Sequence, residues 1–462
     1  MSLIFKLDYF IYFKKMNVHL IAIGGSAMHN IALALHDKGF NVSGSDDYIF
    51  NPSKDRLKKK GLLPSKLGWF PDRINRKIDA IILGMHAKSD NPELLKAQKL
   101  KIPIYSYPEY IFNQSKEKKR IVIAGSHGKT SITSMILHVL KECKIECDYM
   151  VGAQLDGFDN MVKLTKENKI IILEGDEYLS SPIDMRPKFL WYKPHIAVIS
   201  GIAWDHINVF PTFISYLNQF KTFIKSVSET LIYFNGDTNL NNIINKSLKC
   251  KLIPYNILSH EINNGITFLK IKNNNLPLNI FGDHNLQNLN AAKSVCEQLG
   301  VSEFDFFKAI NSFKGASKRL EVVLKLEKAT LFKDFAHSPS KLLATISAVK
   351  KQFKTRKLVA CMELYTFSSL NKNFLKQYKG SMDNADAAIV YFNPKSLEKK
   401  KSKFKIKTED IFESFGREDL IVFDDSKKLK NYINSLKWNN KNLLMMSSGN
   451  FDEIDFQDLI RI

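Results

Sequence analysis

Short apolar runs rich in β-branched residues recur along this chain, and helix-like stretches separate them. This alternation is typical of parallel α/β sheets, because parallel neighbouring strands need a crossover connection that a helix usually provides. The clearest predicted strands are Val18–Ile23, Ile78–Leu83, Ile121–Ala124, Ile170–Leu173, Ile196–Ser200, Thr330–Phe332, Leu358–Met362, Ala387–Tyr391 and Leu443–Met446. The sequence therefore predicts an α/β fold with mainly parallel sheets.

Two polar stretches rich in Lys divide the predicted strands into three groups. These stretches are Gln114–Lys119 and Lys314–Lys318. Because a chain of 462 residues is long for one hydrophobic core, both stretches are suitable domain boundaries. We predict three domains, at residues 1–117, 118–313 and 314–462. Two Asn-rich patches, at residues 239–245 and 273–275, are predicted to be surface loops.

Composition and charge narrow the class of function. The chain has 68 Lys and Arg against 47 Asp and Glu, a formal net charge of +21. Most of these cations are Lys and no nucleic-acid-binding motif accompanies them, so we predict no nucleic-acid partner. The five scattered cysteines fit neither a disulfide framework nor a zinc site. Residues 1–15 lack the features of a signal peptide and no apolar run could span a bilayer. We therefore predict a cytoplasmic protein without membrane insertion.

The strongest local motif is GSHGKTS, which lies between a predicted strand and a predicted helix. In this position backbone N–H groups and a helix N-terminus face a phosphate, a Lys neutralises it and a hydroxyl reaches Mg²⁺. The motif is a shortened form, with two residues where four usually precede the Gly-Lys pair. It predicts a nucleotide-phosphate site. Its residues are Gly125, Ser126, His127, Gly128, Lys129, Thr130 and Ser131.

A carboxylate and an imidazole follow two further predicted strands. Glu174 follows the strand that ends at Leu173, and His206 follows the strand that ends at Ser200. Because the carboxyl ends of parallel strands lie at one edge of a sheet, both side chains should meet the phosphate loop. Together with the Thr130 hydroxyl they are suitable Mg²⁺ ligands beside a triphosphate. In isolation, Glu174 would be a solvated strand end and His206 a core histidine; their convergence favours the metal site.

A second nucleotide-binding pattern lies near the N-terminus. Gly24, Gly25 and Ser26 follow the first predicted strand, and Asp46 follows a second one at Phe40–Val42. Glycines that allow close backbone approach, with an acid about 20 residues on, are typical of Rossmann-like domains. The full glycine pattern is absent. NAD and the diphosphate of a nucleotide sugar are therefore both compatible ligands.

Polar residues further along the chain allow two interpretations. His284, Asn285 and Asn288 open a predicted helix, where they either cap it or contact a base or ribose. Arg319 follows the second domain boundary, and Asp334 lies just beyond a predicted strand. Each is either an ordinary loop residue or a nucleotide ligand supplied by the third domain.

Taken together, these motifs resemble the Mur ligase family over nearly the whole chain from Val18. They follow the family's order: GGSAM and GSD, GSHGKTS, EGDEY, WDH, GDHNLQNLNAA and DFAHSPS. The resemblance implies a Rossmann-like N-terminal domain that binds a UDP-sugar and a P-loop-type central domain that binds ATP. It also implies a Rossmann-like C-terminal domain that closes over ATP and binds an amine substrate.

The resemblance further implies an ATP-dependent ligase of peptidoglycan synthesis or recycling, which forms a C–N bond and releases ADP and phosphate. ATP and Mg²⁺ would be its cofactors. Lys129, Glu174 and His206 would be catalytic, and Thr130, Glu174 and His206 would hold metal. ATP would contact the phosphate loop and His284, Asn285, Asn288, Arg319 and Asp334. The UDP-sugar would contact Gly24, Gly25, Ser26, Asp46 and His86.

Within the family, residues 177–194 resemble ligases that join UDP-N-acetylmuramate to L-alanyl-γ-D-glutamyl-meso-diaminopimelate. We take this tripeptide as the predicted amine substrate. The alternatives are L-alanine as the amine, or a non-catalytic nucleotide-binding relative. Two positions depart from the family pattern. ELYTFSS at residues 363–369 replaces Arg-containing motifs that recognise the amine substrate, and Ser338 stands where relatives usually have a second His.

Overall fold

The computed structural model of the protein describes residues 15–460, with gaps at 156, 246, 272–273, 317–318, 367 and 395–405. Its contacts divide the chain into two units. The first contains the described residues from 15 to 116 together with Asp159–Glu167 and Leu179–Arg186. The second contains Glu117–Phe158, Asn168–Tyr178 and the chain from Pro187 onward. Both the predicted central domain and the predicted C-terminal domain fall mainly in this second unit.

The first unit is built on a four-stranded sheet in which every neighbouring pair is parallel. In spatial order the strands are Asn41–Ser45, Asn17–Ile21, Ala80–Leu83 and Ile104–Ser106. The helices are Ser26–Asp37, Ser53–Lys59, Pro92–Lys99 and Tyr107–Gln114. Asn91 and Ser106 cap the last two helices, each followed by a Pro in the first turn, where no backbone donor is needed.

In the second unit, six strands form a sheet in which every neighbouring pair is parallel. Its strands in spatial order are Lys251–Tyr255, Thr230–Phe234, Ile196–Ile199, Lys119–Ala124, Ile170–Glu174 and Asp148–Met150. The helices of this part are Lys129–Glu142, Phe213–Lys225, Thr238–Ile243, Asp283–Gln298 and Glu303–Ile310. The strands Ile196–Ile199 and Lys119–Ala124 are almost entirely buried, as expected for a sheet covered on both faces.

A six-stranded sheet forms the C-terminal part of the second unit. In spatial order its strands are Glu321–Lys325, Ala329–Asp334, Lys441–Met446, Lys357–Leu364, Ala387–Phe392 and Ile421–Phe423. Only the first pair is antiparallel. The longer helices are Pro339–Gln352, Thr408–Phe415 and Ser426–Ser435. Buried side chains form one apolar cluster on each face of this sheet, so helices or loops cover both faces.

The predicted fold class is confirmed, and each of the nine clearest predicted strands is present with its ends shifted by a few residues. The loop prediction for the Asn-rich patches was wrong for residues 239–243 and 274–275, while residues 244–245 lie outside any helix or strand and residue 273 lies outside the described residues. Residues Thr238–Ile243 form a helix that Asp237 caps, and Asn274–Leu278 is a strand of a three-stranded antiparallel sheet. The other two strands of that sheet are His260–Asn263 and Ile266–Ile271. Among the described residues, no helix is long and apolar enough to cross a membrane.

Candidate functional site

The predicted phosphate loop lies between the strand that ends at Ala124 and the helix that begins at Lys129. Two of its glycines have left-handed backbones, Gly125 with φ 119° and Gly128 with φ 79°. A Cβ atom on Gly128 would lie 2.2 Å from Asn288 Oδ1. Gly128 is therefore required both for its conformation and for the close approach of the helix Asp283–Gln298.

A buried ion pair holds the loop lysine. Lys129 Nζ donates to Gly125 O at 2.7 Å and to Glu177 Oε2 at 2.7 Å. The Tyr216 hydroxyl donates to the other oxygen of Glu177 at 3.0 Å. Burial alone would lower the pKa of Lys129, but the carboxylates of Glu177 and Asp176 raise it above its ordinary value. The lysine is therefore a fixed positive charge at neutral pH.

Two sets of oxygen-rich side chains adjoin this lysine. The Thr130 hydroxyl donates to Glu174 Oε1 at 2.9 Å. Ligand atoms of Asp176, Glu177 and His206 lie within 4.8 Å of one another. His206 is held in a left-handed conformation, with φ 55°, and its Nε2 lies 3.7 Å from Glu177 Oε1. Carboxylate and hydroxyl oxygens with one imidazole fit a hard divalent cation such as Mg²⁺.

Lys129, Thr130, Glu174, Glu177 and His206 line one cavity of about 450 Å³ within the second unit. The phosphate loop from Ser126 onward forms one part of the cavity, and Gly125 lies behind it, bonded to Lys129. The other predicted nucleotide residues also line the cavity, namely His284, Asn285, Asn288, Arg319 and Asp334. The structure thus brings together residues from the parallel sheet and the six-stranded sheet of this unit, across a sequence separation of about two hundred residues.

Two cavity residues near the C-terminal sheet, Asp334 and Arg319, are held by hydrogen bonds and by a cation–π contact respectively. Asp334 is buried and accepts from the backbone N–H groups of Leu320 at 2.8 Å and Ala336 at 2.7 Å. The guanidinium of Arg319 lies 4.7 Å from the centroid of the Phe335 ring. This cation–π contact leaves the guanidinium charged beside the cavity that it lines.

Burial and neighbouring charges shift the pKa of three histidines and one aspartate of the cavity. Burial, together with the charge of Lys341, lowers the pKa of both His127 and His337 to about 3. Burial also lowers the pKa of His284. Burial would raise the pKa of Asp205, but Lys341 and His206 hold it well below its usual range. These three imidazole rings are therefore neutral at neutral pH and can serve as hydrogen-bond donors or acceptors, while the Asp205 carboxylate keeps its charge.

In the first unit, the predicted sugar-nucleotide residues lie where three parallel strands end. Asp46 is buried, and its carboxylate accepts from Gly24 N at 2.7 Å and Tyr48 N at 3.4 Å. Gly25 and Ser26 lead into the helix Ser26–Asp37. His86 is exposed in a turn after the strand Ala80–Leu83. Asp46 thus fixes the shape of the loop that contains Gly24 and Gly25.

Comparison with known proteins identifies the family of this chain. Residues 17–118 match the model described as "Mur ligase family, catalytic domain", and residues 123–296 match the "Mur ligase middle domain". A UDP-N-acetylmuramate–L-alanine ligase from Caldicellulosiruptor bescii is 34% identical over 390 residues, covering 80% of this chain and 82% of the relative. The chain belongs to the Mur ligase family. It is therefore an ATP-dependent ligase of peptidoglycan synthesis that forms a C–N bond.

Other relatives and solved structures agree with this membership. The UDP-N-acetylmuramate–L-alanine ligase from Desulforamulus reducens is 30% identical and covers 82% of each chain. The murein peptide ligase from Psychrobacter arcticus has a TM-score of 0.67 at 21% identity, covering 97% of this chain and 100% of that one. The UDP-N-acetylmuramate–alanine ligase from Thermotoga maritima has a TM-score of 0.69 at 20% identity, covering 95% and 97%. At these identities the two structures show the shared Mur ligase fold.

Sequence reasoning missed several groups that this Mur ligase places in the cavity. Glu177 and Asp205 belong to motifs that were recognised, yet no role was predicted for either. Lys341 also lines the cavity, and Tyr216 lies behind it against Glu177. The spacing of Glu174 and Glu177 offered a signal. Two carboxylates three residues apart beside a buried strand lose solvation free energy, and this loss must be offset by cations or hydrogen-bond donors. No local pattern distinguishes Lys341 from the other lysines of its helix.

The two departures from the family pattern have structural counterparts. Glu363 is buried at the end of the strand Lys357–Leu364, where it accepts from Phe451 N at 3.0 Å and from the Ser447 hydroxyl. The segment that replaces the Arg-containing motif therefore holds the loop after the strand Lys441–Met446. Ser338 precedes the helix Pro339–Gln352, and its buried hydroxyl has no hydrogen-bond partner among the described residues.

Proposed function

We propose that this protein joins the lactyl carboxylate of UDP-N-acetylmuramate to the amine of L-alanyl-γ-D-glutamyl-meso-diaminopimelate. The cavity carries the proposal, because it combines a phosphate loop, oxygen ligands for a metal and residues from the C-terminal sheet. The tripeptide is favoured by the segment 177–194, which contains a two-stranded sheet of Leu179–Ser181 and Asp184–Pro187. The second candidate is L-alanine, which the names of the relatives from C. bescii and D. reducens favour. Both amines present the α-amino group of an L-alanyl residue.

The first proposed step is phosphoryl transfer. A lactyl carboxylate oxygen attacks the γ-phosphorus of ATP, a new O–P bond forms, and the bond to the bridging oxygen breaks. The electron pair of that bond leaves with ADP, and the product is an acyl phosphate. Lys129 would contact the transferring group, since its fixed charge lies at the start of the phosphate-loop helix. Positioning and charge stabilisation are the main catalytic tasks in such reactions.

The second proposed step is amide formation. The amine nitrogen attacks the acyl carbon, a C–N bond forms and the C–O bond to phosphate breaks. The electron pair of that bond leaves with inorganic phosphate, which takes up the proton that the amine nitrogen loses. Asp334 and Arg319 would keep the C-terminal part closed over the nucleotide, because both line the cavity from that part. Exclusion of water would protect the acyl phosphate from hydrolysis.

The donor set in the cavity fits Mg²⁺. Thr130 and Glu174 form one pair of oxygen donors, and His206 would supply a nitrogen beside the carboxylates of Asp176 and Glu177. When bound, Mg²⁺ neutralises phosphate charge and orients the triphosphate. The residues themselves arrange this donor set: the Thr130 hydroxyl orients Glu174, and Gly152 N donates to the second oxygen of Glu174 at 2.9 Å.

The N-terminal unit would bind the UDP-sugar through Gly24, Gly25, Ser26 and Asp46, with His86 near the muramoyl end. Tyr48 and Phe50 follow Asp46, and their rings are largely exposed with centroids 4.2 Å apart. Such an aromatic face is suited to stacking with a nucleobase. The proposal therefore assigns the two nucleotides to different sites, UDP-sugar to the first unit and ATP to the second.

Replacement of His206 by Ala should change the metal requirement. We expect the Mg²⁺ concentration for half-maximal activity to rise by about 10-fold, within the range usual for loss of a metal-binding contact. ADP release titrated with Mg²⁺ measures this, and His36→Ala, an exposed histidine on the helix Ser26–Asp37, is the control. Removal of Mg²⁺ with a chelator should abolish activity of the unaltered protein. An unchanged Mg²⁺ dependence in His206→Ala would contradict the metal assignment.

The substrate is tested by incubating the protein with ATP, Mg²⁺ and UDP-N-acetylmuramate, and adding the tripeptide or L-alanine in parallel reactions. ADP release and product mass are measured. We expect product with the tripeptide. UDP-N-acetylglucosamine is the matched control, because it lacks the lactyl carboxylate and should give no product. Product only with L-alanine would support the second candidate, whereas no product with either amine would overturn both.

A further inference from the structure

Lys341 occupies an unusual position in the nucleotide cavity. It lies in the first turn of the helix Pro339–Gln352, whose preceding residue Ser338 has an extended backbone. The neighbouring Ser340 Oγ is hydrogen-bonded to His127 Nε2 at 2.7 Å, so the start of this helix contacts the phosphate loop. Two helices, this one and Lys129–Glu142, therefore begin at the same cavity.

The hydrogen bonding of Lys341 differs from that of other lysines on the same helix. Lys350 donates to Asp386, and Lys351 donates to Asp283 at 2.8 Å. The side chain of Lys341 makes no hydrogen bond in the part of the chain that the structure describes. Its nearest carboxylate oxygen is Asp205 Oδ2, at 3.8 Å from Nζ. The ammonium group of Lys341 thus faces the cavity with its donors available to a ligand.

The charges around Lys341 favour a polyanionic ligand. Burial lowers its pKa, and the nearby charges of Lys129 and Arg319 lower it further, against the opposing effect of Asp205 and Glu177. Glu177 is already bonded to Lys129, and Asp205 also accepts from the His206 backbone N–H at 2.7 Å. Lys341, Lys129 and Arg319 repel one another beside two helix N-termini. Bound phosphate groups would offset this repulsion.

We propose that Lys341 binds the γ-phosphoryl group of ATP and acts as a second catalytic lysine, supplied by the C-terminal part of the protein. The inference rests on the proposed function, because it places ATP in this cavity. In the transfer step described above, Lys341 keeps its proton. It neutralises charge on the γ-phosphoryl oxygens while the bond to the bridging oxygen breaks. Because the C-terminal part supplies the Lys341 charge, phosphoryl transfer would depend on closure of the nucleotide site. Arginine fingers create the same kind of dependence.

The first test compares two nucleotides by calorimetric titration with Mg²⁺. The non-hydrolysable analogue AMP-PNP carries a γ-phosphoryl group and ADP does not. We expect Lys341→Met to weaken AMP-PNP binding by about 10- to 100-fold, the usual effect of losing a charge-assisted hydrogen bond. ADP binding should change by less than about twofold, since its phosphates keep Lys129 and the loop N–H groups. Lys350→Met, on the same helix, is the control and should alter neither affinity.

The outcomes separate this inference from the proposed function. Equal weakening of both nucleotides, or no weakening of AMP-PNP, in a Lys341→Met protein with an unchanged melting temperature would overturn the role of Lys341. Failure of the unaltered protein to bind either nucleotide would instead overturn the nucleotide site. In turnover assays Lys341→Met should lower kcat, and Lys341→Arg, which keeps the charge, should restore part of it. Equal kcat in the two variants would contradict a catalytic charge.

Discussion

Replacement of Lys129 by Ala should lower kcat by at least about 10³-fold, because it removes the fixed charge that would stabilise the transferring phosphoryl group. The effect should be large since Lys129 begins the phosphate-loop helix and its ammonium is held by Gly125 O and Glu177. ADP release in the presence of both substrates measures it. Lys141→Ala, an exposed residue in the last turn of the same helix, is the matched control.

The same substitution leaves the buried Glu177 carboxylate without its lysine. Tyr216 still donates to that carboxylate, so we expect a lower melting temperature but a retained fold. Circular dichroism and thermal unfolding separate the loss of activity from loss of structure. Near-normal ADP release by a folded Lys129→Ala protein would show that the loop does not position the reacting phosphate.

Replacement of Glu177 by Gln should lower kcat by about 10²-fold, similar to the loss of other groups that orient catalytic residues. Glutamine keeps the size of the side chain and an oxygen that can accept from Tyr216. It removes the negative charge that faces both Lys129 Nζ, at 2.7 Å, and His206 Nε2, at 3.7 Å. We therefore expect Lys129 to shift from its position on the phosphate loop, and kcat should fall more than the affinity for ADP.

The free energy of unfolding tests the ion pair of Lys129 and Glu177 independently of activity. Removing one partner of a buried ion pair usually costs about 3–5 kcal/mol, because the other charge is left buried without its partner. A double variant, Lys129→Met with Glu177→Gln, should be less destabilised than the sum of the two single variants. Denaturant unfolding of the four proteins gives the coupling free energy. Strictly additive effects would indicate that the pair does not form in solution.

The sequence predicted the strands well because the apolar composition of each segment is enough to identify it as a buried strand. Runs such as Ile121–Ala124 and Leu443–Met446 are apolar and β-branched or long, and a strand buried on both faces requires this composition. The Asn-rich patches were misread for the opposite reason. Asn favours loops on average, but the Asp237 cap and the antiparallel pairing with Ile266–Ile271 make a helix and a strand more favourable here.

The candidate site was predictable where a motif combines unusual residues with a defined position in the fold. Gly128 illustrates this, since its left-handed backbone and its close approach to the Asn288 side chain strongly disfavour any residue with a Cβ atom. Glu177 and Lys341 were not predictable as partners of Lys129 and Asp205, because these interactions join residues 48 and 136 positions apart in the sequence. The assignments of Thr130, Glu174 and His206 to metal, and the domain boundaries near residues 117 and 313, stay predictions.

The sequence by itself predicted the α/β fold, the phosphate loop and membership of the Mur ligase family, because continuous apolar runs, the positions of glycines and the order of motifs can be read directly from it. Only the tertiary structure decided which charges meet. Burial in one cavity pairs Lys129 with Glu177 and leaves Lys341 facing it at 3.8 Å from Asp205. Electrostatic interactions depend on distance and solvent exposure in three dimensions, and neither is encoded in the spacing of residues along the chain.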